Sequence, residues 1–241
     1  MSATPPLLEA RGLVMRFGGV TAVGGVSMSI GEGELRCLIG PNGAGKSTFF
    51  KMLSGQLLPT AGEVLLRGRS IAGLHAASIA RLGVGVKTQT PSVFDGLSVL
   101  ESVRIATNAI LPPNLARRRA DEALERMQIG HLAKAVVGSL AHGQRQLVEL
   151  SMVVSQAPDL ILLDEPAAGM TGREVERLGD LIIDLVRTCS VIVVEHDMEF
   201  IRRIARTVTV FNRGVVLAEG PAAEVMSDAR VRDVYLGKEA A

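Results

Sequence analysis

The chain has no tryptophan, a single tyrosine and only 3% aromatic residues in 241. Proteins that grip single-stranded nucleic acid do so by stacking bases on aromatic faces, so that mode is disfavoured. Cysteine is scarce too. Cys37 and Cys189 have no metal-ligand spacing. They read as core thiols of a reducing compartment rather than as a disulfide or a ligand pair. The formal net charge is +1, which supplies no global attraction to nucleic acid or anionic lipid. No apolar run is long enough to span a bilayer. The opening Met1-Ser2-Ala3-Thr4-Pro5-Pro6 lacks the basic head and apolar stretch of a secretion signal. There is no internal repeat and no low-complexity linker. The expectation is a protein soluble by itself, able to dock on a membrane protein.

What is present is more telling. Apolar residues make up 47%, too many for a disordered chain and enough for a large core. Residues 40 to 48 read Gly40-Pro41-Asn42-Gly43-Ala44-Gly45-Lys46-Ser47-Thr48, a full G-x-x-x-x-G-K-[ST] phosphate loop. Its glycines let backbone N–H groups wrap a triphosphate. Lys46 can reach the β- and γ-phosphates, and the Ser47 hydroxyl can ligate Mg²⁺. The flanks agree. Glu34 to Ile39 reads as a buried strand and Ser47 to Leu53 as a helix, so phosphate would sit at a helix N-terminus.

A second nucleotide element lies far downstream. Asp159-Leu160-Ile161-Leu162-Leu163-Asp164-Glu165 is an apolar strand ending in two carboxylates, as a buried parallel strand requires. Asp164 can hold the Mg²⁺ that bridges the phosphates. Glu165, one step further, can orient or deprotonate an attacking water.

The predicted fold class is α/β: a P-loop NTPase core with a mixed or parallel sheet, an N-terminal antiparallel β subdomain and a helical insertion. Residues 7–33 alternate apolar and polar positions between glycine turns, as antiparallel strands do. Val64 to Leu66 and Val84 to Val86 are further strands. From about Ser98 to Val137 the period becomes helical, broken at Pro112-Pro113. The run Arg117-Arg118-Arg119 is read as a solvated helix face, given Asp121, Glu122 and Glu125 beside it. Beyond Gln144, helix and strand alternate up to Thr207, implying βαβ units. The whole chain, 1–241, is expected to be one nucleotide-binding domain with its insertion at about 90–157.

Three weaker signals complete the pattern. Gln89 follows a strand and can bring an amide near Mg²⁺ or water; a lone Gln is otherwise an ordinary surface residue. His196 follows the strand Val191 to Val194 and can donate to a γ-phosphate; a lone His there is otherwise structural. Leu140-Ala141-His142-Gly143-Gln144 opens an apolar helix, which is an anion site by its dipole and free N–H groups, or else an ordinary N-cap.

With these residues in this order the chain resembles the ATP-binding subunits of ABC transporters, over nearly its whole length. The matching sequence runs from an aromatic near the N-terminus (Phe17) through Walker A (40–48), Q-loop (Gln89) and signature (140–144). It continues with Walker B (160–164), the following glutamate (Glu165), D-loop (168–171) and switch histidine (His196). The resemblance implies that Phe17 stacks on adenine. It implies that Ala141, His142, Gly143 and Gln144 of one subunit close over ATP held by Walker A of another, with ATP and Mg²⁺ as cofactors. Lys46, Glu165 and His196 would serve catalysis. The implied partners are transmembrane permease subunits, a second ATP-binding subunit and, indirectly, a solute-binding protein; nucleic acid is not among them. The implied location is the cytoplasmic face of the membrane.

Within the family the chain looks most like the subunits for branched-chain amino acids, urea and short amides. The signature, the stretches 164–171 and 194–200 and the tail Val231 to Gly237 carry that likeness. Residues 34–40 and 91–98 look closest to the urea-transporter subunit. Two departures stand out. The usual signature is Leu-Ser-Gly-Gly-Gln, whereas Ala141 and His142 replace its Ser and first Gly. The D-loop aspartate of many members is Thr171. An alternative is a soluble ATPase with a regulatory or nucleic-acid-linked role, but the coiled coil, zinc hook or basic surface that it needs is missing. A non-catalytic nucleotide-binding module would lack Glu165.

Overall fold

The computed structural model describes residues 5–236. Residues 1–4 of the N-terminal segment and Gly237 of the tail fall outside the described residues.

Two sheets organise the chain. The first has the order β2-β1-β4-β5 and is antiparallel. Strands β1 (Leu8–Phe17) and β2 (Val20–Ile30) form a long hairpin, as the alternation predicts, and β4 (Ala61–Leu66) and β5 (Arg69–Ser70) follow on the other side. The second sheet has six strands. Its order is β10 (Val215–Pro221), β9 (Thr207–Asn212), β3 (Leu35–Ile39), β8 (Ser190–Val194), β7 (Leu160–Asp164) and β6 (Val84–Lys87). All its neighbours run parallel except β10, which turns back on β9.

Strands β3 and β8 are buried along their whole length. That burial on both faces is why their sequences read as unbroken apolar runs rather than alternating ones. One face packs on the antiparallel sheet and on α1 (Lys46–Leu53), through Leu38, Phe49, Phe50, Leu162, Val194 and Phe211. The Phe49 and Phe211 rings stand 5.0 Å apart, tilted. The opposite face carries α5 (His142–Val154), α6 (Gly172–Leu185) and α7 (Met198–Ile204), with Val148, Ile182 and Phe200 in contact with the sheet core.

Between β4 and β7 lie α2 (Ala76–Arg81), α3 (Val99–Asn108) and α4 (Pro113–Arg126). Ser98 caps α3 by accepting from Glu101 N, and the Glu101 carboxylate accepts from Ser98 N in return. Such a reciprocal box fixes a helix start. Pro112 caps α4 and Pro113 is its first residue, where a missing N–H costs nothing. Arg118 and Arg119 both pair with Glu122 on the exposed face, as the charge pattern predicts. Two short helices, α8 (Ala222–Ser227) and α9 (Ala229–Leu236), follow β10. Cys37 and Cys189 are buried free thiols. Burial pushes Cys37 up to about 12 and Cys189 up to about 11, so neither forms thiolate at neutral pH. Among the described residues no helix is long and apolar enough to cross a membrane.

Candidate nucleotide site

The phosphate loop joins β3 to α1. Its tightness has a steric cause at two positions. A side chain on Gly40 (φ 145°) would run into the Phe211 carbonyl, and one on Gly45 (φ 101°) into the Ala22 carbonyl. The loop is therefore wedged between the two sheets, and only glycine fits there. Lys46 is 6% exposed, and its amino group donates to the Gly40 and Pro41 carbonyls at 2.7 and 3.0 Å. The ammonium is thus folded back over the loop that would hold phosphate. Asn42, Gly43 and Ser47 are exposed on this loop, Ala44 is buried and Thr48 is half-buried.

Parallel pairing of β7 with β8 brings Asp164 opposite Val194. The residues just beyond both strand ends then meet. Glu165 N donates to the Val194 carbonyl at 2.9 Å. Gln89 Nε2 donates to Glu165 Oε2 at 2.8 Å, and His196 Nδ1 lies 3.4 Å from Glu165 Oε1. Glu165 is held with φ 44°, an unfavourable conformation for a side-chain-bearing residue. Strain of this kind persists only where surrounding contacts over-determine it, and it clusters at functional sites. The arrangement is a carboxylate gripped by an amide on one side and an imidazole on the other. It can position a water and take its proton.

Asp164 tests whether Mg²⁺ suits the site. Its Oδ1 is buried and makes no hydrogen bond. Burial first, and the neighbouring Glu165 charge second, raise its pKa above the ordinary 3.8. A carboxylate oxygen left without a donor beside a second carboxylate is suited to a hard divalent cation. Asp164, Ser47 and Gln89 are the residues that would hold it; the ion would supply charge neutralisation to the phosphates.

The signature residues gather at the start of α5. Ala141 N donates to Gln144 Oε1 at 3.1 Å. Ala141 has no side-chain oxygen to return that bond, so only half of a capping box exists. His142 is exposed, and its Nε2 lies 3.1 Å from the Ala168 carbonyl. Gly143 is buried. Hydrogen bonds from this segment run within α5 and to the D-loop, not to the phosphate loop of the same chain. Thr171 is the N-cap residue of α6 and donates to Glu174 from both its N–H and its hydroxyl. Phe17 ends β1 at 50% exposure.

Two contributors escaped the sequence reading. Glu195 is 2% exposed. It accepts from Ala167 N at 3.2 Å, His196 N at 3.0 Å and Asp197 N at 3.4 Å. One buried carboxylate thus ties the loop after Glu165 to the loop carrying His196. Its only signal is an acidic residue directly after four apolar ones. Tyr235 of α9 lies half-buried beside Gly40 of the phosphate loop, and burial pushes its hydroxyl up to about 12.

Fold and site together define a nucleotide-binding cassette ATPase. Residues 23–168 match the family described as ABC transporter, and residues 215–241 match the C-terminal segment of branched-chain amino acid ATP-binding cassette transporters. The chain belongs to the ATP-binding subunits of ABC transporters. It is 37% identical over 251 aligned residues to the high-affinity branched-chain amino acid transport ATP-binding protein LivG of Salmonella typhimurium, covering 97% of this chain and 98% of that one. Its identity to the corresponding protein BraF of Pseudomonas aeruginosa is 35%, with the same coverage. The solved ADP conformation of MJ1267, an ATP-binding cassette of an ABC transporter, superposes with a TM-score of 0.86 at 27% identity, covering 96% of this chain and 99% of that one. Cassettes of this family bind ATP and ADP and hydrolyse ATP, and they work with membrane permeases.

Proposed function

We propose that this chain hydrolyses ATP to drive import of a small solute, with branched-chain amino acids as the favoured class. The observation that carries the ATPase role is Glu165, held between Gln89 at 2.8 Å and His196 at 3.4 Å at the end of the Asp164 strand. Gly40 to Thr48 cradle the triphosphate, with Lys46 turned onto the β- and γ-phosphates, and Phe17 offers its exposed ring to adenine. Asp164, Ser47 and Gln89 would hold Mg²⁺, which would supply positive charge to the phosphates. Glu165 takes the proton from water while Gln89 holds its carboxylate in place and His196 steadies the γ-phosphate. Ala141, His142, Gly143 and Gln144 close over ATP held by a second ATP-binding subunit. Residues 1–241 act as one nucleotide-binding domain, and its helical insertion, about 90–157, faces the permease at the cytoplasmic side of the membrane. A solute-binding protein acts one step removed.

The solute class rests on the relatives, which are named for branched-chain amino acids. The likeness to urea and short-amide subunits rests on residues 34–40 and 91–98 alone. Isolation of the chain from its native membrane, followed by uptake assays with labelled leucine and labelled urea, tests both steps. Two transmembrane proteins should accompany it, and leucine uptake should fail in Lys46→Ala. Loss of urea uptake instead would reassign the solute. Recovery without membrane proteins would favour a soluble regulatory ATPase.

A further inference from the structure

Outside the phosphate site the least expected group is a buried ion pair. Lys87 closes β6 with no exposure, and Glu149 sits in the middle of α5 at 5%. Lys87 Nζ lies 3.6 Å from Glu149 Oε2, and donates to the Thr88 carbonyl at 3.3 Å. Glu149 Oε2 makes no hydrogen bond of its own. Its Oε1 accepts from Ser92 N at 3.0 Å.

One carboxylate therefore holds both ends of the bend 87–92. Gln89 sits between those ends, and its amide donates to Glu165 Oε2. Glu149 is seven residues into the helix that His142 opens, about 10 Å along its axis. The bend that carries Gln89 and the helix that carries the signature are pinned to each other at Glu149. Desolvating two charges is costly, and an apolar pair of similar volume commonly stabilises a fold as well or better. An apolar pair cannot hold the Ser92 N–H or fix the register of the bend against the helix. Stability thus gives no account of the pair, while positioning does.

We propose that Lys87 and Glu149 are positioning residues that couple Gln89 to the signature helix, so that the placement of Gln89 on Glu165 and the placement of α5 change together. The proposal rests on the assignment of Glu165 as the hydrolytic base. It adds that Gln89 acts through a mechanical link to α5 and not through its own hydrogen bond alone.

A double-mutant cycle in the full chain tests it, read as steady-state Mg-ATP hydrolysis, with thermal unfolding alongside. Lys87→Met with Glu149→Leu should leave the unfolding midpoint unchanged or higher, change KM by less than about threefold and lower kcat about tenfold. Gln89→Ala should lower kcat about tenfold in the wild-type chain but less than about twofold further in the Met/Leu background, because both changes cut one connection. Independent, multiplicative losses would overturn the coupling, as would normal kcat in the folded double variant. Should that variant fail to fold, Glu149→Gln keeps the oxygen for Ser92 N–H, removes the charge pair and carries the same cycle. The Glu165→Gln chain is run in parallel. Near-normal turnover there strikes the assignment of the base, whereas the Gln89 cycle alone decides the coupling.

Discussion

Gln89 Nε2 donates to Glu165 Oε2 at 2.8 Å across two loops 76 residues apart in sequence. The contact leaves Glu165 with a defined orientation and only one oxygen, Oε1, facing His196. Glu165→Gln keeps the size of the side chain but cannot accept a proton. Lys46, Ser47 and Asp164 are untouched, so ATP should still bind. Hydrolysis should fall about 10²–10⁴-fold, the usual cost of losing a general base. Trapped ATP should hold two cassettes together by mass action. Light scattering in Mg-ATP should show a dimer of the variant, or one that appears only when a different ATPase partner is added. Near-normal turnover would remove Glu165 from the role of base.

Asp164 gives a pH-dependent prediction. Burial, then the Glu165 charge, raises its folded pKa above 3.8. The folded chain thus binds this proton more tightly than the unfolded chain. The resulting stability is complete below 3.8 and is lost as pH rises through the folded value. Without nucleotide or metal, Asp164→Asn should therefore melt higher than wild type at neutral pH, with the difference shrinking as pH falls toward 4. Hydrolysis should be abolished. A variant that melts lower at neutral pH would show that Asp164 is already compensated.

Ala141→Ser restores the missing half of the cap on α5. Its hydroxyl can accept from the Gln144 N–H while Gln144 Oε1 continues to accept from residue 141. Caps of this type contribute about 0.5–2 kcal/mol. The melting midpoint should rise by about 2–4 °C per kcal/mol, and the ATPase rate should hold or rise modestly. A strong loss of rate would mean that the segment around His142, bonded to the Ala168 carbonyl, closes the site in another way.

Phe94 lies just past the Gln89 bend, 45% exposed, so it does not fill the core of the insertion. Phe94→Ala should cost little stability, within about 0.5 kcal/mol for a surface change. Basal hydrolysis should persist, while transport by the assembled complex should fail. Collapse of folding and hydrolysis together would return Phe94 to a packing role.

Much of this was legible locally. The phosphate loop is readable because glycine spacing, the Lys and the Ser are all consecutive, and each has a stereochemical reason. The strands ending at Ile39, Asp164 and Val194 are readable because strands buried on both faces must be apolar throughout. The hairpin β9–β10 was less visible. Its turn, Asn212-Arg213-Gly214, places Arg213 and Gly214 at positive φ, but β10 is half-exposed and carries no strong pattern. Glu195 and Lys87 were invisible as functional groups, since an acidic or basic residue after an apolar strand has no spacing that announces a partner.

The sequence by itself determined the nucleotide motifs, the buried strands that carry them and the membership of the family, because those depend on residues adjacent in the chain. Only the tertiary structure decided that Gln89, Glu165 and His196 converge. That meeting follows from parallel pairing of β6, β7 and β8, which brings three distant strand ends to one edge of the sheet. It also decided that Glu149 serves both ends of the Gln89 bend. That one side chain, 57 residues from Ser92 and 62 from Lys87, reaches them only after α5 has docked, and docking depends on the whole core.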